Sequence, residues 1–144
     1  MAEKAFSYRA KVQQKPPAAK RMNNTTNELT VLLVDDEEMV RLAMSTALSH
    51  AGFIVLESAQ ANDALDLYER HAGRIDLIVL DLVMPEMWGD EMLPKLREIN
   101  PDVRVVVCSG FDIKEGEFEG VEAIIKKPVR AEKLVRIIRD ALGV

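Results

Sequence analysis

The sequence predicts an α/β fold, a five-stranded, doubly wound parallel sheet with helices on both faces. Three observations carry that expectation. From residue 30 onward, short apolar runs alternate with amphipathic stretches, the pattern of strand–helix units rather than hairpins. The runs are rich in Val, Leu and Ile, as strands buried on both faces require. The strongly polar residues that punctuate these runs fall at their C-terminal ends, which form the ligand-binding rim of open α/β sheets.

The elements follow in order. "LTVLLV" (29–34) reads as a buried strand. "EEMVRLAMSTALSHAG" (37–52) then spaces Met39, Leu42, Ala43, Thr46 and Ala47 for one apolar helix face, with Gly52 as its stop. "FIVLES" (53–58) is a second, more mixed strand. "NDALDLYERHAG" (62–73) is a helix with Asn62 as N-cap and Gly73 as stop. "IDLIVLDLV" (75–83) is apolar on both faces and is predicted to be central. "MPEMWG" is a loop, and "DEMLPKLREIN" (90–100) a helix that tolerates Pro94 only near its first turn. "VRVVVCS" (103–109) and "VEAIIKK" (121–127) are the fourth and fifth strands, and "AEKLVRIIRDALG" (131–143) is a strongly amphipathic closing helix.

Length and composition fit one globular unit: 144 residues, 48% hydrophobic and 30% charged. No apolar run is long enough to span a bilayer, and no secretory n-region and h-region open the chain, so a cytoplasmic location is expected. The single cysteine, Cys108, lies among apolar neighbours and reads as a buried thiol. Charge divides the chain in two. Residues 1–28 form a basic linker or N-terminal arm; with Leu29 they hold six Lys/Arg against two Glu, or +4, whereas the remainder stands at −9. Such an arm suits a linker or the end of a preceding domain, with nucleic acid or a membrane surface as the sharper alternatives.

The rim joins separate signals. Asp35 and Asp36 end the first strand, Asp81 the third, Ser109 the fourth and Lys127 the fifth. Singly, each is ordinary turn or cap chemistry. Together, three carboxylates on one rim repel unless a hard cation joins them, and all-oxygen donors favour Mg²⁺ or Mn²⁺ over zinc. Asp36 and Asp81 holding such a cation would leave places for water and a phosphoryl oxygen; Lys127 adds a compact positive charge and Ser109 a hydroxyl. Phosphoryl transfer needs that set, and an aspartate can be its nucleophile. His50 and His71 fall in helical segments away from the rim and read as surface or structural residues. Glu37 and Glu38 fit the first turn of the next helix, where the dipole favours them.

"VLLVDDEE", "IDLIVLDLVMPEMWG", "VRVVVCSG" and "IIKKP" resemble the receiver domain of two-component response regulators, over residues 29–144. The resemblance implies a flavodoxin-like strand order, 2-1-3-4-5. It also implies a phosphorelay role in which Asp81 is the phosphoacceptor, taking phosphate from a histidine kinase or phosphotransfer protein. Asp36 would bind Mg²⁺ directly, Asp35 would orient a metal water and the Val83 carbonyl would complete the metal site. Ser109 would hydrogen-bond the phosphoryl group and Lys127 pair with it, whereas Lys126 faces the other way and has no role. Beyond its own phosphorylation and dephosphorylation, no turnover of an external substrate is implied. A homodimer through the arm or the C-terminal face is compatible with it; membrane contact and nucleic-acid binding by the domain are not expected.

The chain departs from the family in three places. Ile124 stands where receivers commonly carry a switching Tyr or Phe, so an aromatic gate is not expected beside Ser109. The segment between Ser109 and Lys127 is about one turn short, which predicts a short, irregular or mobile fourth helix. Val83 and Phe111 are both apolar, so neither positions an attacking water and a long-lived phosphoryl group is expected. Val83 also argues against an aspartyl-phosphate phosphatase, which would place a second Asp there. A pseudo-receiver that binds partners without phosphorylation is the remaining alternative. Free-standing regulator and hybrid-kinase fragment both fit the sequence.

Overall fold

The computed structural model describes residues 29–114 and 116–144. The expectation for the basic arm, 1–28, and any dimerisation through it, therefore lies outside the described residues. The chain forms β1 (Thr30–Val34), α1 (Glu38–His50), β2 (Ile54–Ser58), α2 (Ala61–His71), β3 (Leu77–Asp81), α3 (Gly89–Ile99), β4 (Val105–Ser109), β5 (Ala123–Lys126) and α4 (Ala131–Leu142). All strand pairings are parallel, in the order β2-β1-β3-β4-β5. The predicted class and order hold.

Strand alternation feeds two separate cores. Val31, Leu33, Leu77, Val79, Val106, Cys108 and Ile125 face Met44 and Leu48 of α1 and Leu134, Ile138 and Leu142 of α4. Leu32, Val34, Ile78, Leu80, Val105 and Val107 face Ala61, Ala64 and Tyr68 of α2 and Met92, Leu93, Leu96 and Ile99 of α3. The same parity aims the residues at the strand ends. Asp35, Asp81 and Lys127 continue the set that faces α1 and α4, whereas Lys126 belongs to the other side.

Several local expectations are corrected. The buried stripe of α1 is Met44 and Leu48, with Val40 packed beside them; Met39 and Leu42 are 75% and 55% exposed. The helix carries two adjacent apolar stripes, and the sheet selects the other one. The N-cap of α2 is Gln60, not Asn62, and it makes no side-chain cap. Glu86, from the β3–α3 loop, instead accepts the Ala61 N–H. Pro94 is the sixth residue of α3, because the helix begins one residue earlier, at Gly89, and so it lies just past the first turn. Between β4 and β5 the described residues contain turns and no helix. The shortened segment is thus irregular, as expected, with turns in place of a helix among its described residues.

That connection is held by side chains instead. Lys126 pairs with Asp112, and Arg97 of α3 donates to the Glu119 carbonyl. Gly120 has φ +82, and a Cβ there would stand 2.8 Å from the Arg97 guanidinium, so glycine serves both backbone and neighbour. Among the described residues, no helix is long and apolar enough to cross a membrane.

Candidate phosphoryl-acceptor site

The chain turns out of β1 through Asp35 and Asp36. The Asp35 N–H donates to the Ser58 carbonyl at 3.1 Å, keeping β1 paired with β2 past its last strand residue. Asp35 Oδ1 accepts the Glu37 N–H at 2.8 Å, an Asx-type turn that redirects the backbone into α1. Asp35 is buried while Asp36 is exposed. Asp81, 4% exposed, ends the central strand, and its Oδ1 accepts the Val83 N–H at 3.2 Å.

Lys127 reaches in from β5. Its Nζ lies 2.7 Å from Asp35 Oδ2 and 3.2 Å from Asp81 Oδ2, with Glu37 Oε1 at 3.5 Å. The Lys127 N–H donates to the Ser109 carbonyl at 2.8 Å, fixing where the side chain departs, and the following peptide bond to Pro128 is cis. Burial raises the Asp81 pKa above its usual value; the Val83 N–H and the Lys127 ammonium offset part of that. Burial alone would lower Lys127, but the Asp35 hydrogen bond and the two carboxylate charges outweigh it and raise its pKa. Burial pushes the neighbouring Cys108 thiol up to about 12, as an inert core cysteine requires.

Asp35, Asp36 and Asp81 can bring one carboxylate oxygen each within 4.8 Å of one another. Three oxygen donors and no His or Cys suit a hard divalent cation, and exposed Asp36 faces solvent from which one can enter. Ser109 ends the adjacent strand, buried, with its hydroxyl accepting the Phe111 N–H at 2.9 Å. Val83 bridges to Trp88 just outside the sheet, and Ile124 is 46% exposed on β5. Asp35, Asp36, Asp81 and Lys127 therefore gather at one point, with Ser109 and Val83 on its flank. His50 and His71 are exposed in the last turns of α1 and α2, away from the rim.

Two residues at the site were not assigned to it from sequence. Glu37 is the N-cap of α1, yet its carboxylate also reaches Lys127. Arg41 folds back from the first turn of α1 to donate to the Asp35 carbonyl at 2.8 Å. Glu37 directly follows the acidic pair and Arg41 lies five residues beyond Asp36, positions that in sequence look no different from a solvated helix start.

Comparison with known proteins converges on one family. The response regulator receiver domain family matches residues 31–139, and the chain belongs to it. Sensor kinase CckA of Brucella abortus is 37% identical over 102 residues, covering 71% of this chain and 11% of that protein. Chemotaxis protein CheY of Bacillus subtilis is 28% identical over 118 residues, 78% of this chain and 97% of CheY. The crystal structure of the receiver domain from hybrid histidine kinase CckA superposes with TM-score 0.70 at 32% identity, covering 78% of this chain and 98% of that one. Vibrio cholerae CheY4 superposes with TM-score 0.73 at 27% identity, covering 79% and 98%. The chain thus spans a small fraction of CckA but nearly all of CheY. Receiver domains are regulatory modules of two-component systems, with an acidic metal site and with histidine kinases and effectors as partners.

Proposed function

We propose that this chain is a phosphoacceptor receiver, in which a histidine kinase or phosphotransfer protein passes a phosphoryl group to Asp81. The observation that supports it is the Lys127 ammonium, held between Asp81 and Asp35 at the end of the central strand. A buried carboxylate with a fixed cation beside it is poised both to attack and to carry the added charge.

In the transfer, an Asp81 carboxylate oxygen forms the new bond to phosphorus. The phosphorus–nitrogen bond of the donor phosphohistidine breaks, and the imidazole departs with the electron pair. Asp36 and Asp81 would hold Mg²⁺ or Mn²⁺ directly, with the Val83 carbonyl completing the set and Asp35 orienting a metal water; the cation supplies positive charge that neutralises the phosphoryl oxygens. Lys127 would move its attention from Asp35 toward the new phosphoryl oxygens, and the Ser109 hydroxyl would donate to another. Partner binding would then change on the face formed by β5 and α4, where Ile124 offers a side chain to repack but no ring to swing. The downstream effector and any homodimer through that face follow from the family only by analogy.

The test is incubation with acetyl phosphate and Mg²⁺. The wild type should take up one acid-stable, base-labile phosphoryl group, and Asp81→Asn none. The apolar Val83 and Phe111 predict slow decay once the donor is removed; loss within seconds would contradict that part. A wild type that takes no label favours the pseudo-receiver, for which the lack of a helix among the described residues between β4 and β5 is the specific observation.

A further inference from the structure

Asp36 is the carboxylate most open to an entering cation, and no hydrogen bond or ion pair to its side chain is found among the described residues. Its direction must therefore come from the backbone that carries it. The peptide unit joining Asp35 to Asp36 has one carbonyl, that of Asp35, which no helix hydrogen bond claims. Arg41 Nη1 donates to that oxygen at 2.8 Å.

Arg41 is itself fixed. Its side chain is 17% exposed, and Nε lies 3.3 Å from Glu57 Oε1 at the end of β2. The second Glu57 oxygen accepts from Ser45 Oγ at 3.1 Å, one turn along α1. A planar guanidinium can hold a carbonyl with one nitrogen and a carboxylate with another; an ammonium cannot match that geometry. The pair also removes a charge problem. A lone cation beside a cation site would oppose binding, whereas Arg41 neutralised by Glu57 contributes position without net charge.

We propose that Arg41 is a positioning residue for the cation site: by holding the Asp35 carbonyl it sets the plane of the Asp35–Asp36 peptide and so aims the Asp36 carboxylate. The chain of contacts runs from Ser45 through Glu57 and Arg41 to the turn, and it links β2 and α1 to the rim. This inference rests on the reading of Asp36 as a cation ligand.

Calorimetric titration of Mg²⁺ into the full chain tests it, with thermal unfolding in EDTA run in parallel. Arg41→Gln should raise the Mg²⁺ Kd about tenfold, the usual scale for partners that orient ligands, at temperatures where the variant is fully folded. Arg41→Lys should fall between that variant and wild type, because it retains one donor but not the fork. The sign discriminates, since removing a positive charge near the site would by itself tighten binding. An unchanged or lowered Kd in Arg41→Gln overturns the inference while leaving the proposed function standing. A wild type that binds no Mg²⁺, with Asp36→Asn indistinguishable from it, overturns both. Should the glutamine variant fail to fold, the lysine variant decides alone, and wild-type affinity there overturns the inference.

Discussion

Lys127 places one ammonium within hydrogen-bonding distance of two carboxylates that are almost out of solvent, Asp35 and Asp81. Removing one partner of a buried ion group strands the other, which costs more than the pair contributes. Lys127→Met should destabilise the metal-free domain by about 2 kcal/mol, less than a fully enclosed pair because the site opens to water at Asp36. Urea unfolding at pH 7 in EDTA reads this directly; a variant as stable as wild type would contradict it. The residues of this cluster were legible because each ends an apolar strand, where the polar residue can only lie on the rim. Arg41 and Glu37 were not, because a charged side chain at a helix start leaves no mark distinct from a solvated face.

Helix α3 carries the least expected local feature, Pro94 six residues in. Proline has no N–H to donate to the Asp90 carbonyl, and its ring crowds that oxygen. Because the side chain is exposed, Pro94→Ala should cost no packing and should stabilise the domain by about 1–3 kcal/mol, seen as a higher urea midpoint. A lower midpoint would mean that the ring makes a contact the exposed position does not suggest. Strand positions were largely readable, since β1, β3 and β4 are uniformly buried and their apolar runs are unmistakable. Helix faces and caps were not. The sequence of α1 offers two apolar stripes, and only the shape of the sheet decides between them. The start of α2 depends on Glu86, 25 residues away, which no local pattern reveals.

The whole molecule has an alkaline weakness written into its two cores. Burial raises Tyr68 from 10.0 to about 12 and Cys108 from 9.0 to about 12, one group in each core. Between the ordinary and raised values the native chain holds protons that the unfolded chain has lost. Stability must then fall as pH rises through 9 and onward to about 12. Lys127, raised above its ordinary 10.5 by its carboxylate partners, contributes in the same direction. Urea midpoints at pH 8, 9.5 and 11 should decline in that order; a flat profile would contradict the assignment. The class of the fold was legible at this scale, because a chain alternating strand and helix periods builds a parallel sheet by right-handed crossovers, whereas the strand order came from the family resemblance. Between β4 and β5 the shortage of residues made an irregular segment legible, but not that its described residues would form no helix at all.

That loss divides the rim into two kinds of wall. On one side α1 and α4 rest on apolar contacts, which strengthen in strongly hydrated salts such as sulfate. On the other, Ile113, Phe118 and Val121 of the connection after Ser109 also pack on the core, but its exposed ties, the Lys126–Asp112 ion pair and the Arg97 guanidinium on the Glu119 carbonyl, add a charged component that ions in solution screen. Ionic strength therefore weakens the charged part of what holds the segment after Ser109 and leaves the apolar part of both walls in place, so the medium tunes how firmly that segment is held.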